Sequence, residues 1–168
     1  MKGKGRIRVQ ERNGQDHHDA YWNKAHPKNH SYCKKCHAIF HNKHWFFDEP
    51  KLKALKADGR RHQVVCPACQ KIQDRFASGT VRLSGDFLKG HRDEILNLVK
   101  NEEQRAMGMN PLERIIEISS RGREIEVTTT HEKLAQRIGK SLYRAFSGQV
   151  DYRWSRGEKM ARVNWSRD

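Results

Sequence analysis

Cys33-Lys34-Lys35-Cys36 and Cys66-Pro67-Ala68-Cys69 contain all four cysteines of the chain, with 29 residues between the two pairs. Paired CxxC units that leave no odd thiol are the pattern of a tetrahedral metal site, because two tight turns each presenting two thiolates at about 2.3 Å satisfy zinc without redox chemistry. Disulfides fit a reducing cytosol poorly, and a thioredoxin-like site needs one CxxC at a helix start after a strand. One structural zinc held by Cys33, Cys36, Cys66 and Cys69 is therefore expected, in a module over residues 31–77. His30, His37, His41, His44 and His62 lie near the pairs, but four thiolates already complete the tetrahedron. The separation exceeds the roughly 15–20 residues of a compact ribbon, so residues 37–65 must hold more than a single hairpin. Trp45, Phe46 and Phe47 fall in that interval. Their expected role is to pack the module, which at about 40 residues needs metal as well as a core; base stacking is the alternative.

On the N-terminal side, residues 1–30 show no apolar periodicity and read as a flexible basic arm, with Lys2, Lys4, Arg6, Arg8 and Arg12 against one Glu in the first twelve positions. Such an arm either orders on RNA or stays a solvated tail. On the C-terminal side, the pattern changes after Gly79. Thr80 to Leu83 alternates as a short strand, Ser84 to Asp86 caps a helix reaching Met107, and Asn110-Pro111-Leu112-Glu113 reads as the start of a second helix ending by Gly122. Ile125 and Val127 alternate with polar neighbours as a strand, Thr129 and Glu132 form a capping box for a helix to Gly148, and residues 150–154 and 161–165 form a hairpin around Ser155 to Glu158. The expected fold class is α+β: a zinc-ribbon-like module followed by a two-layer domain over 78–168, ordered β-α-α-β-α-β-β, with helices on one face of a mostly antiparallel sheet. The other face would carry Arg153, Arg162 and Asn164, either as a merely solvated surface or against an RNA backbone.

The 168 residues include 34 Lys plus Arg and 20 Asp plus Glu, a formal net charge of +14, with 35% hydrophobic residues. The surplus is uneven, at +4 over residues 1–12, +6 over 31–75 and +4 over 76–168. Excess cations gain most against a polyanion, by releasing the counterions of its phosphates. The candidate phosphate contacts are Lys2, Lys4, Arg6 and Arg8 on the arm, Lys34, Lys35, Lys43, Lys51, Lys53, Arg60, Arg61 and Lys71 on the module, and Arg153 and Arg162 on the sheet. No run of roughly 18 apolar residues is present and MKGKGRIRVQER has no apolar signal region, so a cytoplasmic protein without membrane contact is expected. A catalytic role finds no support: there is no Gly-rich phosphate loop, nucleophile elbow or paired-carboxylate motif, and His41-Asn42-Lys43-His44 lacks the Asp-His pair and spacing of a zinc-framed nuclease.

The two knuckles, Gly79-Thr80-Val81-Arg82-Leu83, the stretch from Ile125 to Lys140 (IEVTTTHEKLAQRIGK) and Arg162-Val163-Asn164-Trp165 together resemble the Nmd-three family, over about residues 31–165. That family includes eukaryotic adaptors for export of the large ribosomal subunit and shorter prokaryotic relatives. The resemblance implies a non-catalytic, ribosome-associated zinc protein that binds ribosomal RNA and neighbouring ribosomal proteins, most simply on the large subunit, in assembly, subunit joining or stationary-phase protection. Longer members carry further CxxC pairs for a second metal; this chain has one set, so neither a second zinc nor nuclear shuttling is carried over. The alternatives are a zinc-ribbon protein–protein adaptor, or a regulatory nucleic-acid-binding protein not tied to the ribosome.

Overall fold

The computed structural model describes residues 5–10, 19, 21, 27–59, 62–155 and 160–168. Among the described residues, ten strands form two sheets, accompanied by four helices. Strands β2 (Ser31–Cys33), β3 (Ile39–His41), β4 (His44–Phe46) and β5 (Gln63–Val64) form the smaller sheet in the order β4-β3-β2-β5. Helix α1 (Glu49–Ala57) lies between β4 and β5, and α2 (Pro67–Asp74) follows. The long interval between the knuckles thus holds a hairpin, a helix and a further strand.

Side-chain alternation gives this sheet two apolar faces. Tyr32, Ile39 and Phe46 are cross-strand neighbours that pack with Leu52 and Leu55 of α1, whereas Phe40 and Trp45 pair on the opposite face and pack with Cys33, Cys66 and Cys69. Trp45 is buried in the cysteine-centred cluster, while Phe47 remains exposed. Asp48 caps α1 by accepting from the Lys51 amide at 3.0 Å.

The larger sheet has six strands, β1 (Arg6–Val9), β6 (Gly79–Ser84), β7 (Ile115–Arg121), β8 (Glu124–Thr129), β9 (Gln149–Trp154) and β10 (Ala161–Ser166), in the order β1-β9-β10-β6-β8-β7. Pairings of β1 with β9 and of β6 with β10 are parallel and the other three are antiparallel. Helices α3 (Leu88–Met109) and α4 (Glu132–Phe146) pack against each other, and α4 lies on β6, β8, β9 and β10. One continuous core results, in which Leu134, Ile138 and Leu142 of α4 meet Val81, Val127, Val163 and Trp165 of the sheet. No helix among the described residues is long and apolar enough to cross a membrane.

Three expectations need correction. The segment after Asn110 is not a helix: the order from residue 78 is β-α-β-β-α-β-β. Pro111 has no N–H to extend α3 and pushes Asn110 into an extended conformation (φ −145°, ψ 106°). The Asn110 side chain then accepts from the Leu112 amide, and its carbonyl from the Glu113 amide, both at 3.0 Å, which makes a turn rather than a helix cap. A bulge between Ile115 and Glu117 places Ile115 and Ile118 on the same face, opposite Thr129 and Val127. A strand thereby imitates the spacing of a helical stripe.

Helix α4 is capped by His131, whose ring Nδ1 accepts from the Lys133 amide at 3.2 Å. Thr129, expected as the cap, ends β8, and its hydroxyl donates to the His131 carbonyl at 2.9 Å. Within the expected arm, Arg6–Val9 forms the edge strand β1 in register with Gln149–Tyr152. The turn residues Arg156 to Glu158 lie outside the described residues.

Gly85 joins β6 to α3 with φ +106°, and a Cβ there would run into the Arg167 backbone. Gly85→Ala is expected to lower stability by about 1–3 kcal/mol through left-handed strain and that clash. Gly108→Ala, where nothing lies within 4 Å, is expected to raise it by up to about 1 kcal/mol through helix propensity. Urea unfolding of both variants checks the opposite signs.

Candidate metal centre and basic surface

The first knuckle leaves β2 at Cys33 and turns back so that the Cys33 amide donates to the Ala38 carbonyl at 2.8 Å and the His37 amide to the Cys33 carbonyl at 2.9 Å. His37 takes a left-handed conformation, φ +67°, to close the turn. The second knuckle is the start of α2, where Cys66 is the N-cap and Pro67 occupies the first turn without a wasted donor. Lys34 donates from its backbone to Val64 at 2.9 Å, which seats one knuckle beside the strand that leads to the other.

The four Sγ atoms lie within 4.8 Å of one another, and Cys36 and Cys66 are 3.6 Å apart. Four sulfurs at about 2.3 Å from a central ion are separated by about 3.8 Å along the edges of a tetrahedron. The quartet therefore fits one structural metal ion. The sulfurs are too far apart for disulfides, whose S–S bond is about 2.05 Å, and all four cysteines are free. Hydrogen bonding with Cys36 and the other sulfurs draws the Cys33 thiol down, whereas Cys33, Cys36, Cys69 and burial push Cys66 up. Proton sharing of this kind is what a bound dication replaces, since it favours the thiolate at every sulfur.

Donors surround the quartet. The Cys66 amide points to Cys33 Sγ at 3.3 Å, the Cys69 amide to Cys66 Sγ at 3.4 Å, and the Arg114 guanidinium reaches Cys69 Sγ at 3.8 Å from the turn before β7. Leu112 from that same turn packs into the cysteine cluster. Among the described residues the quartet is the only group of three or more His, Cys, Asp or Glu side chains close enough to share an ion. The neighbouring histidines stand outside it, with His41 drawn below its usual pKa by burial, Lys51 and His30.

The candidate phosphate contacts divide sharply. Lys34, Lys35, Lys43 and Lys53 are exposed and Lys51 is half-buried, all on elements anchored by the metal module. Lys51 lies over the Phe46 ring at 5.2 Å. Arg6, Arg8 and Arg162 are exposed on the large sheet, and Arg153 is exposed but paired with Asp151 at 2.7 Å. Lys2, Lys4, Arg60 and Arg61 lie outside the described residues.

Lys71 is a correction, because it is 3% exposed and cannot meet an external phosphate. Its ammonium donates to Asp19 Oδ2 at 2.5 Å, Ser78 Oγ at 3.0 Å and the Thr130 carbonyl at 3.0 Å. Three acceptors for three N–H groups make the burial tolerable. Burial works to raise the Asp19 carboxyl, but the hydrogen bond and charge of Lys71 win and hold it below its usual value. Lys71 and Arg114 thus join the module to the larger sheet. Neither role had a sequence signal: Lys71 looks like any cation of a polar helix, and Arg114 fell inside the segment misread as helical.

Two outcomes are expected for this centre. Cys33→Ser or Cys66→Ser should bring bound metal from one equivalent to well below one by elemental analysis, and amide exchange should rise over residues 31–72 while β6, β8 and β10 stay protected. Arg114→Ala should keep one equivalent at saturating metal but weaken affinity about 10–100-fold in competition with a chelator, as removal of an outer-shell partner does.

Compared with protein-family models, curated proteins and solved structures, the chain matches none.

Proposed function

We propose that the chain is a non-catalytic zinc protein of the cytoplasm that binds ribosomal RNA, on the large ribosomal subunit, with ribosomal proteins as neighbours. The observation that carries this reading is that Lys34 in the first knuckle, Lys43 in the β3-β4 turn and Lys53 on α1 stand exposed, with no acidic partner among the described residues. Cations pre-arranged on a scaffold, rather than spent on internal ion pairs, are available to displace counterions from phosphates. The four-sulfur donor set favours zinc and leaves no open position at which a metal could activate water, which supports a structural ion and a binding role.

The assignment to the ribosome rests on the resemblance to the Nmd-three family. Its three segments beyond the cysteines correspond to β6, to β8 with α4, and to β10, and these are adjacent in the fold, with α4 packed across all three strands. They form the centre of the larger sheet and its helix layer, the framework that holds the flanking surfaces.

Sedimentation through a sucrose gradient tests the reading. The protein should travel with the large subunit at moderate salt and be released as salt rises, and Lys34→Glu/Lys43→Glu/Lys53→Glu should weaken association while retaining one equivalent of zinc. Wild-type protein that stays entirely at the top of the gradient would sink the proposal.

A further inference from the structure

The six-stranded sheet buries one face under α3 and α4, and no described element covers the other, where Arg6, Arg8, Arg153, Arg162 and Asn164 stand exposed. Its uncovered side chains fall into registered rows. Arg6 stands beside Gln149 and Ser166, and Arg8 stands beside Asp151 and Asn164. Arg153 faces Arg162 across β9 and β10. Adjacent strands lie about 4.8 Å apart, and successive rows are about 6.7 Å apart along a strand, so these groups form a compact lattice of guanidinium, amide and hydroxyl donors.

Charge is polarised across this face. Asp151 is taken up by Arg153, and farther along, Arg82 is taken up by Glu126 at 3.0 Å. On the β6-β8-β7 side, Glu117, Glu124 and Glu126 share the face with Arg82 and Arg121, Arg121 standing opposite Glu124, so the charges there nearly balance. Arg6, Arg8 and Arg162 have no ion-pair partner among the described residues, so the unneutralised positive charge collects at β1, β9 and β10. A shallow depression of about 180 Å³ lies there, bordered by Arg6, Arg8, Gln149, Asp151, Asn164 and Ser166. At about 30 Å³ of liquid volume per water molecule, it has room for a phosphate group and part of its hydration.

Among the described residues, this face of the strands also carries no aromatic ring. Tyr152, Trp154 and Trp165 occupy the alternate positions of β9 and β10 and turn to the helix side, where Tyr152 and Trp165 are buried. Sheets that read single-stranded RNA stack unpaired bases on exposed aromatics, whereas double-helical RNA offers phosphates and 2′-hydroxyls to a surface of donors. We infer that the uncovered β1-β9-β10 side of the large sheet binds the sugar-phosphate backbone of double-helical RNA. This rests on the nucleic-acid reading above and adds to it a surface and a form of RNA. The edge strand β1 contributes Arg6 and Arg8, which gives this part of the N-terminal segment a defined place in the contact.

The test uses the full-length, metal-loaded protein and Arg6→Glu/Arg8→Glu/Arg162→Glu, whose side chains are exposed, with thermal unfolding to verify that the fold is kept. Fluorescence anisotropy against a 20-base-pair RNA duplex and against one of its strands is followed as salt is varied. Wild type should bind the duplex at least tenfold more tightly than the strand. The variant should lose at least tenfold in duplex affinity at low salt, and its log–log salt slope should shrink by about 2 to 3, at roughly 0.9 per lost phosphate contact. Unchanged duplex affinity and slope in the variant, with wild type still binding RNA, would overturn the surface and leave the nucleic-acid reading standing. Tighter wild-type binding to the strand than to the duplex would overturn the form of RNA. Binding of neither RNA by wild type would overturn both.

Discussion

Four sulfur atoms held within 4.8 Å of one another are the constraint on which the rest of the N-terminal half depends. Two thiolates about 4 Å apart repel by about 4 kcal/mol at an effective dielectric of about 20, and a quartet contains six such pairs. A dication at the centre would convert that repulsion into the main cohesive force of the module. Its apolar resources are small: Ala38, Phe40, Trp45, Ala68 and Leu112 surround the cysteines, and Tyr32, Ile39 and Leu52 form a separate cluster on the other side of the sheet. The strands and α1 are organised around the turns that bring the knuckles together, so a metal that locked those turns would also hold Lys34, Lys43 and Lys53 in place.

A zinc ion held by the four thiolates would carry two net negative charges, taking the formal total from +14 to +12 and setting a local anion inside a cationic protein. The sulfurs already receive backbone donors from Cys66 and Cys69 and the guanidinium of Arg114, which arrives from the turn before β7. Lys71 does comparable work a few residues farther along α2, tying Asp19, Ser78 and Thr130 together. The two halves therefore share buried polar contacts as well as the packing of Leu112, and both leave cations exposed, Lys34, Lys43 and Lys53 on the module and Arg6, Arg8 and Arg162 on the large sheet.

How much of this was legible depended on how local the signal was. The cysteine quartet was readable because metal ligation imposes a spacing. Strands β6, β8, β9 and β10 were readable because one buried face imposes alternation, and α4 because Leu134, Ile138 and Leu142 repeat on one side. Strand β7 was not, since the bulge between Ile115 and Glu117 replaces a period of two by a spacing of three, and Pro111 after Asn110 serves a turn as well as a helix start. The edge strand β1 was hidden for another reason: Arg6–Val9 gains its conformation by pairing with β9, about 140 residues away in the chain. Lys71 and Arg114 were invisible as buried cations, because burial there is a property of the junction and not of either segment.

X-ray absorption at the zinc edge of the protein as purified addresses the central claim most directly. The account requires one shell of four sulfurs at about 2.3 Å with no nitrogen or oxygen neighbour. A mixed sulfur and nitrogen shell would show that a histidine displaces one of the four cysteines, and the absence of zinc from protein whose thiols are all oxidised would remove the cohesive force on which the module, and the surface it presents, has been built.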